Sequence, residues 1–117
     1  MKTTNQIPTK QQNNRNSMDK QQRLAIYAEC EKKWGKIAQY DQCIEEMAEL
    51  TIAINKVKRK TLYGEYIDRP EIEDNLVEEV ADVVMCLEQI IGWIGEDVVS
   101  QKLDQKLNKL IQHMKKY

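Results

Sequence analysis

Apolar residues recur along most of the chain at alternating steps of three and four, and no stretch sustains the every-other-residue alternation of a half-buried strand. Beyond the first twenty residues, glycine and proline punctuate this pattern only at Gly35, Gly64, Pro70 and the Gly92/Gly95 pair. The pattern predicts four helices, over about Asp19 to Trp34, about Lys36 to Lys60, from after Asp68 to about Ile91, and about Glu96 to Lys115. The expected fold is therefore all-α, an antiparallel four-helix bundle formed by residues 21–117 as one domain.

Local signals support these boundaries. Lys56, Lys58, Arg59 and Lys60 place positive charge at the negative end of the second helix. Asp68 and Glu71 make a capping pair for the third, with Pro70 in its first turn. The first helix turns Leu24, Tyr27, Ala28 and Cys30 inward, and the last buries Val99, Leu103, Leu107, Leu110 and Met114. Helix two carries a second apolar stripe, Ile37, Tyr40, Ile44, Met47, Thr51 and Ile54, which leaves surface over for self-association.

Composition narrows the class. A chain of 117 residues allows one modest core. Its 18 basic and 19 acidic residues give a net charge of -1, which offers no dense basic face for nucleic acid. No apolar run is long enough to span a bilayer, so no membrane partner is expected. Residues 1–20, rich in Gln, Asn, Lys and Thr, read as a flexible polar tail without the apolar stretch of a secretory signal, and the expected location is cytoplasmic. Cys30, Cys43 and Cys86 are odd in number and widely spaced, as reduced core thiols are, and match no disulfide frame or zinc site.

The candidate chemistry interrupts the apolar seams. On helix three the series Ile72, Leu76, Glu79, Val83, Cys86, Ile90 keeps one packing face, and a carboxylate sits in its middle. Asp82 lies about 60° further round the same helix. Helix two repeats the anomaly, with Glu46 inside the seam Cys43, Glu46, Leu50, Ala53, Val57 and Glu49 one turn on. Two like charges about 4 Å apart repel by roughly 4 kcal/mol at an effective dielectric near 20. A hard dication bound by Glu46, Glu49, Glu79 and Asp82 removes that conflict, and Mg²⁺, with Mn²⁺ as a substitute, suits oxygen ligands and phosphate substrates. A di-iron centre would require inward E-x-x-H pairs, whereas the sole histidine, His113, follows neither acidic pair. Glu45, Glu71, Glu73 and Asp74 fit ordinary solvated charge as well. With no P-loop or G-x-G-x-x-G present, phosphates would be held by metal and side chains.

The run Glu45-Glu46-Met47-Ala48-Glu49-Leu50, followed on the next helix by Glu79-Val80-Ala81-Asp82, resembles the E-E-x-x-E and E-x-x-D motifs of the MazG-like all-α nucleoside triphosphate pyrophosphohydrolases, in particular their short phage and bacterial members. The likeness covers about Trp34 to Leu110. It implies Mg²⁺-dependent hydrolysis of a (deoxy)nucleoside triphosphate to the monophosphate and pyrophosphate. Glu46, Glu49, Glu79 and Asp82 would hold the metal, and Glu46 or its neighbour Glu45 would orient or deprotonate the attacking water. Basic residues of the last helix, Lys106 ahead of Lys109, would meet the triphosphate. Gln39 and Gln42, two turns and one turn before the acidic motif, are candidates to read a base or sugar edge. The resemblance also implies a homodimer or homotetramer. Two other readings compete: the related phosphoribosyl-ATP pyrophosphatase, and a noncatalytic helical interaction module whose acidic pairs face a basic partner.

Overall fold

The computed structural model describes residues 17–63 and 70–117 of the chain. Residues 1–16, which hold most of the expected tail, and the segment 64–69 with Gly64, Tyr66 and Asp68 lie outside the described residues. The regular structure of the described residues is entirely α-helical: α1 spans Lys20–Leu62, α2 Pro70–Ile94 and α3 Glu96–Lys116. No helix among them is long and apolar enough to cross a membrane. The chain divides between Lys33 and Trp34 into two compact units.

In the N-terminal unit, the start of α1 is fixed by a reciprocal cap. Gln22 donates its backbone N–H to Asp19 Oδ1 at 2.8 Å, while the Asp19 N–H reaches Gln22 Oε1 at 2.8 Å. Two of the donors a helix leaves orphaned at its start are thereby satisfied. Leu24, Tyr27 and Cys30 are half-buried as their spacing predicts, but Ala28 is exposed.

The predicted stop at Gly35 is present: Gly35 adopts φ 84° and ψ 161°, outside the helical region, and separates the two helical stretches that make up α1. Only glycine occupies that region without strain. Beyond the break, α1 and α2 meet through side-chain pairs: Gln39 with Gln89, Cys43 with Cys86, Glu46 with Asp82, and Lys60 with Glu73. The predicted seams are the contact faces. Cys43, Ala53, Ile72, Val83 and Cys86 are buried, and Leu50, Val57, Leu76 and Ile90 are half-buried.

Helix α2 runs past Gly92 and stops at Gly95, whose φ of 118° turns the chain into α3. Its N–H still closes on Ile91 O at 2.8 Å. The expectation that α3 buries its stripe is corrected. Val99 alone of the five predicted residues is partly buried, whereas Leu103, Leu107, Leu110 and Met114 expose 47 to 62% of their surface. Periodicity shows that a helix is amphipathic; it does not say that one chain supplies the cover.

Candidate metal centre

The acidic cluster arises because α1 and α2 each carry a carboxylate at a seam position, where packing holds it against the other helix. Glu46 comes from α1; Glu79 and Asp82, three residues apart and therefore on one side of α2, come from the other. One oxygen from each lies within 4.8 Å of the others, and all three residues are half-buried. Glu79 Oε1 is removed from water and has no hydrogen-bond partner. A buried acceptor left without a donor is costly, so its surroundings call for a proton or a cation.

The electrostatics agree with the geometry. Burial is the main cause that pushes Glu46 up to about 7, followed by the charge of Asp82, a hydrogen bond shared with that carboxyl, and the charges of Glu49 and Glu79. Glu79 is raised as well, first by burial, then by Glu49, Asp82 and Glu78. Without a counter-ion the cluster partly solves its repulsion by retaining protons.

Cys43 and Cys86 make the next layer of the helix interface, one turn from Glu46 and Asp82. Both are buried, and burial together with the neighbouring Cys43 thiol pushes Cys86 up to about 12. The Cys86 thiol is thereby kept from ionising, and the ligand atoms that converge in the cluster are all oxygens. An all-oxygen set of three carboxylates, one with a buried oxygen unpaired, fits a hard dication such as Mg²⁺ or Mn²⁺.

Of the sequence candidates, Glu46, Glu79 and Asp82 are brought together. Glu49 is exposed at the rim and acts on Glu46 and Glu79 through its charge. Glu45 and Gln42 are exposed on α1, and Lys106 and Lys109 are exposed on α3. Gln39 is half-buried and accepts a hydrogen bond at 2.9 Å from Gln89 Nε2. Sequence reasoning missed Gln89, which is buried with only 7% of its surface exposed. The available signal was its position: it lies seven residues beyond Asp82, the same interval that separates Gln39 from Glu46 on the facing helix. Compared with family models, curated proteins and solved structures, the chain shows no significant match.

Proposed function

We propose that the protein is a Mg²⁺-dependent nucleoside triphosphate pyrophosphohydrolase of the MazG-like kind, which cleaves a (deoxy)nucleoside triphosphate to the monophosphate and pyrophosphate. The observation that carries this reading is the convergence of Glu46, Glu79 and Asp82 within 4.8 Å, with Glu79 Oε1 buried and unpaired. These three residues would hold the ion, and Glu49 stands at the rim of the same site. A dication bound there supplies neutralisation of non-bridging phosphate oxygens and acidification of a water.

The remaining tasks fall to the chain. Glu46, or the exposed Glu45 beside it, is assigned to orient or deprotonate the attacking water. Lys106 and Lys109 are assigned to the trailing phosphates. Their helix presents its apolar stripe to solvent, which supports assembly as a homodimer or homotetramer in which an antiparallel four-helix arrangement is completed between copies.

The test is pyrophosphate release by the full chain from a panel of ribo- and deoxynucleoside triphosphates with Mg²⁺. Activity should vanish in EDTA and fall by at least a hundredfold in E79Q. A wild-type chain that releases no pyrophosphate from any of them would end this assignment, and thermal stabilisation by a basic peptide in place of Mg²⁺ would favour an interaction module.

A further inference from the structure

Two turns from the carboxylates, the same helix pair carries a group of side chains that metal binding leaves unused. Gln89 donates to Gln39 across the interface at 2.9 Å. Beside this pair, Tyr40 and Trp93 meet edge to face with ring centroids 5.0 Å apart, and the Lys36 ammonium lies 5.3 Å from the centre of the Trp93 ring. Tyr40 is 40% exposed and Lys36 is exposed, so the group opens to solvent. We infer that the Gln39–Gln89 amide pair and the Tyr40–Trp93 rings form the seat for the nucleobase of the substrate. This inference rests on the pyrophosphohydrolase reading and says which end of the helix pair the base occupies.

Distance, chemistry and mobility each support the assignment. Gln39 stands seven residues before Glu46, a rise of about 10 Å along a helix. Half a dozen covalent bonds of about 1.5 Å each connect an α-phosphorus to a base, so a nucleotide with its phosphates at the carboxylates reaches the amides and falls well short of the far end of α1. An amide and an indole are what a flat heterocycle with polar edges requires: a donor for its ring nitrogens or keto oxygens, and a face on which to stack. Because Gln39 Oε1 accepts from Gln89, the Gln39 amide is held with its N–H donors left for a ligand. The contact of Lys36 with Trp93 is an exposed cation–π pair, which is weak, so this flexible side chain can move aside for a base that stacks against the Tyr40–Trp93 pair. Every nucleobase carries an acceptor, so the seat distinguishes a nucleotide from bare polyphosphate rather than one base from another.

The experiment measures binding by calorimetry on the full chain with Mg²⁺, using a nucleoside triphosphate whose α,β-bridging oxygen is replaced by a methylene and, separately, inorganic tripolyphosphate. W93L and Q89L should weaken the nucleotide analogue roughly tenfold and leave tripolyphosphate within about twofold. Y40A, at an exposed position, gives the same readout if either core variant fails to fold. Equal losses for both ligands, or no loss for either, would overturn the base seat while leaving the enzyme assignment intact. A wild-type chain that binds neither ligand would overturn both.

Discussion

Removing Mg²⁺ should make the protein less stable as the pH rises from 5 to 7.5, opposite to the usual behaviour of carboxylates in ion pairs. Folded Glu46 keeps its proton up to about pH 7, whereas in the unfolded chain it loses it near 4.5. Between those values the native state binds more protons, so each step up in pH favours unfolding. The slope for one group is at most about 1.4 kcal/mol per pH unit. Partial solvation and coupling to Asp82 reduce the whole effect to about 1–2 kcal/mol. For a domain of this size that lowers Tm by on the order of 10 °C. The raised Glu79 acts in the same direction. Mg²⁺ should reverse the trend: with a Kd of about 1 mM, 10 mM ion adds about 1.4 kcal/mol, and more at pH 7.5 than at pH 5 because it competes with protons. The assay is thermal unfolding in EDTA and in Mg²⁺ across this range, for wild type and for E46Q, which removes the titrating carboxyl. A wild-type Tm in EDTA that is flat or climbs with pH relative to E46Q, or equal stabilisation of both proteins by Mg²⁺, would refute the reasoning.

Three further outcomes follow from particular residues. Native protein at pH 8 should lose one thiol, Cys30, quickly to a maleimide while Cys43 and Cys86 react only after denaturation, as mass spectrometry of labelled peptides would show; uniform labelling would contradict their burial. G35A should cost about 1–3 kcal/mol through its backbone alone, since an added Cβ meets nothing within 4 Å, and a variant with unchanged Tm would exclude strain at that residue. L107E, placed in the exposed stripe of α3, should shift light-scattering mass toward the 13.8 kDa monomer and leave helicity by circular dichroism unchanged; an unaltered mass would remove that stripe from the interface.

Much of this was legible in the sequence because the governing physics is local. Helix class followed from periodicity, and the seam positions of α1 and α2 are the buried and half-buried ones, the intruding carboxylates Glu46 and Glu79 included. What escaped depends on relationships between segments. The helix end at Gly95 rather than near Ile91 turns on which of two nearby glycines takes the positive φ, a choice that their spacing alone does not reveal. Gln89 looked like any polar residue until its partner on the facing helix was known. Glu49 shares the i, i+3 spacing that unites Glu79 with Asp82, yet lies at the rim, because Glu46 and Glu79 already occupy the seam. The stripe of α3 has the spacing of a buried face and still meets solvent.

The side chains of α1 most completely withdrawn from water are two small ones, Cys43 at 1% and Ala53 at 0% exposure. They flank the acidic residues, Cys43 one turn before Glu46 and Ala53 one turn after Glu49. Little side-chain bulk therefore fills the two buried stations on either side of the carboxylates. A bulkier residue at either station, such as A53L, would wedge the helices apart and loosen the grip on an ion with every ligand still in place. Affinity for the proposed cation would then be adjustable from two positions outside the carboxylate cluster.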